Sequence, residues 1–363
     1  MGSKASKETI RGMLPASIQV SDASDAKVDE RFWVLSGSNV PRWIIPQDTR
    51  HGSHVFRCWK PYGLISQVKW RILYAFYRIG LLGWIPGVTS VGISGFASEQ
   101  SKYLSVGCES TYVPSFYIGT IGITQKIVVS FIDPHINEVI SVVKIPLGGG
   151  ASANIIHEYS VLSALEKSSF KLSPTPYSID LALGCSSQEA IRGGLVGRIY
   201  SDELNVFLSR LLTKNKVSIR DKARVLSKKI QELDGCVNDE LLILLGVLSD
   251  LQDTTQLPAY YVHGDFVPWN IIETGGGVIA VDWEMSDLYG LPLYDFYYFH
   301  FQQEYLFKCF KKVPKPYGDL ILGLSNHIIN DLRRYTLVAM AYEYLNVGRN
   351  VSFFIKKLKA EEC

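Results

Sequence analysis

The spacing of apolar and polar residues changes character three times along the chain. The clearest β pattern is in three short runs rich in β-branched and aromatic residues, at positions 112–118, 126–133 and 138–145. Turn-forming residues at 134–137 separate the last two runs, and this combination predicts an antiparallel β-meander. A helical spacing follows at 153–165, and strand-like sequence returns near 178–183 and 194–198.

The second half of the chain is dominated by helical periodicity. Apolar residues recur three or four positions apart in three segments, at 204–212, 219–233 and 240–251. One interruption, at 260–284, consists of two β-branched runs on either side of Gly275, Gly276 and Gly277. Glycines between two such runs predict a β-hairpin.

The segment that precedes the meander, 31–110, is aromatic and basic. Leu64, Val68, Ile72 and Phe76 recur every four residues, which predicts one face of a helix. Positions 49–98 hold no Asp or Glu but six basic residues, which are Arg50, Arg57, Lys60, Lys69, Arg71 and Arg78. Two interpretations follow: the helix docks on the rest of the protein, or residues 50–84 contact an anionic partner such as a membrane surface.

The first thirty residues are rich in Ser and Asp and lack the apolar core of a secretory signal. We therefore expect a flexible tail and a cytoplasmic protein. The uncharged run at 79–98 is long enough to span a membrane, but its five glycines and one proline argue against a transmembrane helix. These observations predict four parts: a tail at 1–30, an N-terminal extension at 31–110, a β-rich part at 111–197 and a helical part at 198–363.

Composition narrows the functional class. Lys and Arg number 37 against 35 Asp and Glu, so nothing in the charge balance predicts a nucleic-acid partner. The six cysteines form no C-x-x-C pair, which favours reduced thiols over a disulfide scaffold.

Polar residues with possible metal chemistry stand at the ends of the predicted hairpin. Pairing Glu273 with Val278 places Asn270 next to Asp282, and a shift of one residue places the two face to face. In either register two hard oxygen ligands lie within roughly 5–8 Å, close enough to share Mg²⁺. Asp265, five residues before Asn270, could then reach a substrate hydroxyl. The alternative is a structural hairpin whose Asp and Asn only form turn and capping bonds.

The combination of His263-Gly264-Asp265 with Asn270, followed by Asp282-Trp283-Glu284, resembles the aminoglycoside phosphotransferase and choline kinase family. This family is related to the protein kinases. The resemblance implies an α+β, bilobal protein-kinase-like fold, with an antiparallel β N-lobe at 111–197 and a mainly helical C-lobe at 198–363. It also implies that Asp265 is the catalytic base, that Asn270 and Asp282 bind Mg²⁺, and that His263 braces the loop.

A kinase also requires a lysine for the phosphates of ATP and a glutamate that positions it. Lys144, at the end of the third β run, and Glu158, in the following helix, have the expected order. A surface lysine and an ordinary helix glutamate would be the structural alternative. The candidate phosphate loop contains Gly119, Thr120 and Gly122 but lacks the G-x-G-x-x-G pattern, so it could equally be a simple hairpin. Backbone groups around Val196 would hold the adenine.

The sequence after Asp282 bears on the acceptor. Asp295 is interpreted as the N-cap of an aromatic helix. It follows Asp282 too closely for the activation loop on which protein kinases bind peptides, which favours a small-molecule hydroxyl acceptor. The sequence 290–299 and the basic N-terminal segment resemble phosphotransferase-like proteins of bacterial surface-polysaccharide pathways, which suggests a sugar or glycolipid. A catalytically inactive nucleotide-binding scaffold and a membrane-surface interaction protein stay open as alternatives.

Overall fold

The computed structural model describes residues 7–14, 18–25, 29–37, 40–58, 61–95, 112–233, 239–308 and 313–361. The chain divides into two compact units. The first unit comprises residues 1–167 and 173–194, and the second comprises 168–172 and 195–363.

The described part of the first unit contains helices on a large β-sheet. Its helices are α1 (Lys7–Arg11), α2 (Thr49–Cys58), α3 (Leu64–Arg78) and α4 (Ala151–Leu165). Its strands are β1 (Gln19–Asp22), β2 (Glu30–Gly37), β3 (Val40–Pro46), β4 (Val88–Ser94), β5 (Val113–Ile118), β6 (Lys126–Asp133), β7 (Glu138–Pro146), β8 (Pro176–Asp180) and β9 (Cys185–Glu189). A 3-10 turn, Leu82–Trp84, follows α3.

These strands form one nine-stranded sheet in the order β1-β4-β2-β3-β5-β6-β7-β9-β8. The predicted meander is present, since β5, β6 and β7 pair antiparallel in succession. The sheet does not stop at β5, however. Trp43 of β3 pairs with Tyr117 of β5, so strands of the segment predicted to be a separate extension continue the sheet of the meander.

A strand from the predicted N-terminal tail also joins this sheet. Strand β1 pairs antiparallel with β4, with Gln19 opposite Ser94. Helix α1 buries Ile10 completely in the apolar cluster on one face of the sheet. The partners of this segment lie far away in the sequence, which is why its local composition does not reveal them.

The two faces of the sheet carry different apolar clusters because neighbouring side chains of a strand point in opposite directions. Val34 and Ile44 belong to the cluster that contains Ile10. Leu35 and Ile45 belong to a second cluster, which also contains side chains of α2 and α3.

Helix α3 spans the predicted segment but docks through another face than the one expected. Trp70 and Tyr77 are buried, and Tyr77 donates its hydroxyl to the carbonyls of Pro46 (2.8 Å) and Asp48 (2.7 Å). Val68 and Ile72, which the four-residue spacing assigned to the apolar face, are exposed.

The second unit is mainly helical. Its helices are α5 (Asp202–Ser209), α6 (Ile219–Gln231), α7 (Asp239–Asp250), α8 (Tyr294–Phe307), α9 (Asn326–Asn346) and α10 (Ser352–Glu361). Its strands are β11 (Leu212–Val217), β12 (Leu257–Val262), β13 (Ile271–Thr274), β14 (Gly277–Ala280) and β15 (Asp287–Gly290); β10 (Gly194–Leu195) lies at the boundary of the units. Strands β11, β12 and β15 form a small antiparallel sheet. The expected α+β class, with an antiparallel β part followed by a mainly helical part, is confirmed.

Within the described ranges, no helix combines the length and the apolarity that crossing a membrane requires.

Replacing Ile10 with Ala tests whether the N-terminal segment is part of the fold. Because Ile10 is fully buried, we expect the substitution to lower the free energy of unfolding by about 2–4 kcal/mol, as measured by urea denaturation. Arg11→Ala, at an exposed position of the same helix, should change it by less than about 0.5 kcal/mol. Equal, small effects of both substitutions would show that α1 does not contribute to the core.

Candidate active site

The first unit contains a buried ion pair at the predicted lysine and glutamate. Lys144 lies near the end of β7, and its Nζ is 2.7 Å from both carboxylate oxygens of Glu158 on α4. Both side chains are almost fully buried. Val143, one residue earlier, points to the opposite face of the sheet, into the cluster that contains Ile10. The alternation of the strand therefore directs the lysine toward the helix that carries its partner.

The candidate phosphate loop follows β5 in the same unit. Gly119 donates its N–H to the carbonyl of Lys126 (2.8 Å), and the hydroxyl of Thr120 accepts from Arg42 (3.3 Å). The carbonyl of Gly122 accepts from the N–H of Gln125 (3.1 Å), which closes a turn.

A second glycine segment, 148–150, packs against this loop. Gly150 donates its N–H to the carbonyl of Ile123 (2.8 Å). A Cβ at Gly148 would lie 2.3 Å from the same carbonyl oxygen, so only glycine fits there. The loop between β5 and β6 is thus held by the segment that connects β7 to α4.

The hairpin of the second unit has the first of the two registers considered. Strands β13 and β14 pair Glu273 with Val278. The N–H of Val281 donates to the carbonyl of Asn270 (2.8 Å), which extends the pairing by one step. Asn270 and Asp282 therefore stand diagonally at the same end of the hairpin.

His263 braces the loop that precedes the hairpin. Its ring is completely buried, and its Nδ1 accepts from the N–H of Asp265 (3.2 Å). The ring proton must then be on Nε2, which donates to the carbonyl of Val281 (3.0 Å). The imidazole also lies against the buried Trp283, with ring centroids 4.6 Å apart. This contact set agrees with a structural role for His263.

Asp295 holds the same loop from the other side. The N–H of His263 donates to its Oδ2 (2.6 Å), and the N–H of Gly264 donates to its Oδ1 (3.0 Å). Asp295 lies inside the first turn of α8, whose N-cap is Leu293, so the interpretation of Asp295 as an N-cap is wrong. Burial raises the pKa of Asp295 to about 7. The two N–H bonds lower this pKa, whereas the nearby charge of Asp265 raises it further.

Gly264 allows the sharp bend in this loop. Its φ is +82°, in the left-handed region, and a Cβ would lie 2.1 Å from the carbonyl oxygen of Met285. No other residue could follow His263 without moving the backbone.

The carboxylate of Asp265 is oriented by two donors. The hydroxyl of Tyr298 donates to Oδ1 (3.0 Å), and the amide of Asn270 donates to Oδ2 (2.9 Å). Burial raises the pKa of Asp265 to about 6; the bond from Tyr298 lowers it, and the charge of Asp282 raises it. A carboxylate with such a pKa is a stronger base than an exposed aspartate, and two bonds leave it acceptor capacity for a substrate hydroxyl.

Asn270 and Asp282 are the residues predicted to bind a magnesium ion. The Nδ2 of Asn270 donates to both the carbonyl and Oδ2 of Asp265, so its orientation is determined and its Oδ1 is the atom that could coordinate a metal. Asp282 has φ 69° and ψ 60°, a left-handed conformation that costs non-glycine residues about 1 kcal/mol or more. The described residues hold no group of three or more His, Cys, Asp or Glu that could bind a metal. An amide oxygen and one carboxylate suit Mg²⁺, which takes most of its other ligands from water and phosphate.

Val196, predicted to contact adenine, is buried at the start of the second unit. Its N–H donates to the carbonyl of Ile271 (3.2 Å). Adenine recognition at Val196 stays a prediction. For the N–H of Val196 to bind adenine, it would have to break its hydrogen bond to Ile271.

Tyr298 and the loop-binding role of Asp295 are absent from the sequence prediction. The two residues are three positions apart on α8 and therefore lie on one face of the helix. The sequence feature that could have identified them is an acidic residue three positions before a tyrosine in a largely aromatic helix.

Comparison with known proteins supports the motif. The model of the phosphotransferase enzyme family, APH, matches residues 202–308, which contain both His263-Gly264-Asp265 and Asp282-Trp283-Glu284. The predicted resemblance to this family is confirmed over that segment. No curated protein matches the sequence.

Several solved structures are similar. Choline kinase LicA from Streptococcus pneumoniae aligns with a TM-score of 0.47 and 14% identity, over 74% of this chain and 97% of that chain. A putative fructosamine-3-kinase from Haemophilus somnus aligns with a TM-score of 0.47 and 12% identity, over 73% and 96%. A thermostable mutant of aminoglycoside phosphotransferase APH(4)-Ia aligns with 0.48 and 12%, over 69% and 93%. Identities and TM-scores this low identify no acceptor for the present chain.

The buried ion pair can be tested by stability. Glu158→Leu alone removes the carboxylate and leaves the ammonium of Lys144 buried. This change should lower the free energy of unfolding by about 3–5 kcal/mol. Lys144→Met should have a similar effect. The double variant should lose less than the sum of the single losses, because it removes both charges of the pair together. Additive losses in urea denaturation would show that the two side chains do not interact.

Asp295→Asn tests the buried carboxylate through pH. Because the pKa of Asp295 is raised from its ordinary value of 3.8 to about 7 in the folded state, its stabilising contribution is complete below pH 4 and is lost as the pH rises through 7. The stability of the wild type relative to Asp295→Asn should therefore fall by about 3 kcal/mol between pH 5 and pH 8. A difference that does not change with pH would contradict the raised pKa.

Proposed function

We propose that this chain, whose residues 202–308 match the phosphotransferase enzyme family, transfers the γ-phosphoryl group of ATP to a hydroxyl of a small molecule. The observation that carries the proposal is the carboxylate of Asp265. It is oriented by Tyr298 and Asn270, and it lies on a loop that Asp295 and His263 hold in place.

Asp265 would act as the general base. The substrate hydroxyl would donate a hydrogen bond to its carboxylate. The proton would move to that carboxylate as the hydroxyl oxygen attacks the γ-phosphorus, and the bond from this phosphorus to the bridging oxygen would break to release ADP. The bonds from Tyr298 and Asn270 prevent the carboxylate from rotating away, so it is oriented before the substrate arrives.

Lys144 would bind the phosphates of ATP. Glu158 contacts its ammonium through both carboxylate oxygens and keeps the flexible side chain in one orientation. Gly119, Thr120 and Gly122 would lie near the phosphates, and the backbone at Val196 near the adenine. The presence of Lys144, Asp265, Asn270 and Asp282 argues against an inactive nucleotide-binding scaffold.

Asn270, through Oδ1, and Asp282 would hold Mg²⁺. When bound, this ion neutralises negative charge on the phosphates of the nucleotide. The left-handed conformation of Asp282 supports this assignment, because strained backbone is found preferentially at functional sites.

For the acceptor we propose a hydroxyl of a sugar or glycolipid of surface-polysaccharide metabolism. The support is the resemblance of the sequence 290–299 and of the basic N-terminal segment to proteins of such pathways. The enzyme would then act in the cytoplasm, at the inner face of the membrane.

Replacement of Asp265 with Asn tests the base. The amide keeps the shape of the side chain but cannot accept a proton, so kcat should fall by at least about a hundred-fold. ATP affinity should stay within a few fold, since the base acts on the acceptor. The assay is ADP release from ATP with a panel of sugar and other hydroxyl acceptors. Tyr298→Phe is the control and should cost less, because Asn270 still orients the carboxylate. Wild-type turnover in Asp265→Asn would exclude this role.

Replacement of Asp282 with Asn tests the metal site. Asn tolerates the left-handed conformation, so the fold should be retained, while the loss of the charge should remove the gain in ATP affinity that Mg²⁺ provides. Calorimetric titration with ATP, with and without Mg²⁺, measures this gain. If the variant shows the magnesium dependence of the wild type, Asp282 does not bind the ion.

A further inference from the structure

A row of exposed apolar side chains runs along α3 to its C-terminal end, and the 3-10 turn that follows carries an exposed tryptophan. Ile65, Val68, Ile72 and Ile79 are 75%, 56%, 50% and 65% exposed, and Trp84 in the turn is 82% exposed. Side chains of this size are seldom so accessible in one continuous row without a partner.

This row lies on the side of α3 that faces away from the sheet. Positions 65, 68, 72 and 79 are spaced by three, four and seven residues, which places them on one stripe of the helix. Trp70 and Tyr77, which dock the helix on the apolar cluster of α2, point in the opposite direction. The exposed stripe is therefore not needed for the attachment of α3 to its unit.

Basic side chains flank the stripe. Lys69 lies along one side, and Arg71 and Arg78 lie along the other, all three exposed. No acidic residue occurs between positions 49 and 98 to neutralise them. Arg78 is anchored near the helix surface, since it donates to the hydroxyl of Tyr74 (3.3 Å).

The other basic residues of this segment are Arg50, Arg57 and Lys60. Arg50 forms an ion pair with Asp48 (2.5 Å), so its charge is compensated. The side chains of Arg57 and Lys60 lie outside the described residues. Among the side chains that the structure describes in this segment, Lys69, Arg71 and Arg78 supply the positive charge next to the apolar stripe.

We propose that this surface, the α3 membrane face (Ile65, Val68, Ile72, Ile79 and Trp84 with Lys69, Arg71 and Arg78), docks on the anionic surface of a lipid bilayer. A helix that lies in the plane of a membrane presents such an apolar stripe between basic flanks, with the stripe at the level of the acyl chains and the cations beside the lipid phosphates. Trp84, exposed in the 3-10 turn that follows α3, suits the interfacial layer, where tryptophan is enriched. The inference is independent of the proposed catalytic function.

Sedimentation with vesicles tests the proposal. The full chain should bind vesicles of phosphatidylcholine with phosphatidylserine and should bind poorly to phosphatidylcholine alone, with a loss at high salt. Each basic residue near an anionic surface contributes about 1 kcal/mol, which is about five-fold in affinity. The triple variant Lys69→Glu, Arg71→Glu and Arg78→Glu should therefore lose at least about a hundred-fold.

A matched triple variant distinguishes an effect of the α3 membrane face from an effect of the net charge of the protein. Arg224→Glu, Lys228→Glu and Lys359→Glu reverse exposed basic residues on α6 and α10 and change the formal net charge equally. This variant should keep most of the binding. Comparable loss in both triple variants, or equal binding of the wild type to both vesicle types, would overturn the proposal.

The apolar stripe has its own matched pair. Val68→Ser with Ile72→Ser should weaken binding about ten-fold or more, whereas Val225→Ser with Leu242→Ser, at 55% and 56% exposure on α6 and α7, should not. Analytical ultracentrifugation of the wild type tests the other occupant, a second copy of the chain. The wild type could self-associate without binding vesicles, and the double variant Val68→Ser with Ile72→Ser could abolish that self-association. This outcome would overturn the membrane proposal and identify a second copy of the chain as the partner of this surface.

Fluorescence gives a readout that does not depend on the variants folding equally well. Lipids with brominated acyl chains quench tryptophan that reaches the membrane, so anionic vesicles that contain them should quench the wild-type protein. Trp84→Phe, a change at an exposed position, should lose most of this quenching while it still binds. Quenching that is unchanged in Trp84→Phe would show that another part of the protein meets the bilayer.

Discussion

The candidate site depends on one interaction, the pair of hydrogen bonds that the carboxylate of Asp295 accepts from the backbone of His263 and Gly264. Buried N–H groups need acceptors, and here one side chain provides both at the point where the chain bends sharply. The bend requires glycine at position 264, and it presents Asp265 to Tyr298 of the same helix that carries Asp295. Helix α8 therefore holds the loop and orients the carboxylate at once.

The two units use the same physical rule for their polar groups. In the first unit the ammonium of Lys144 is buried because Glu158 contacts it through both oxygens. In the second unit, the buried carboxylate of Asp265 accepts hydrogen bonds from Tyr298 and Asn270, and burial raises its pKa to about 6. Hydrogen-bond partners fix the orientation of a buried polar side chain. Phosphate binding and proton transfer both require such a fixed orientation. Their cost in stability is the reason to expect them at functional positions.

Much of this site follows from local sequence. The glycines at 275–277 between two β-branched runs predicted a hairpin, and the structure has the first of the two registers considered. The contact of Lys144 with Glu158 was predicted from the kinase resemblance and from the order of the two residues. Long-range contacts were not accessible in this way. Strand β1 pairs with β4 and Asp295 binds a loop thirty residues away, and neither relation leaves a periodic signal. Helix α3 was placed correctly but its docking face was not, because both of its faces are apolar.

The central claim is that Asn270 and Asp282 hold the metal while Asp265 is kept for the acceptor. A crystal structure of the protein with Mg²⁺ and a non-hydrolysable ATP analogue tests it most directly. We expect the ion to contact Oδ1 of Asn270 and the carboxylate of Asp282, with Asp265 still bonded to Tyr298 and not coordinated to the metal. Coordination of the ion by Asp265, or binding of Mg²⁺ and nucleotide without Asn270 and Asp282, would contradict the account.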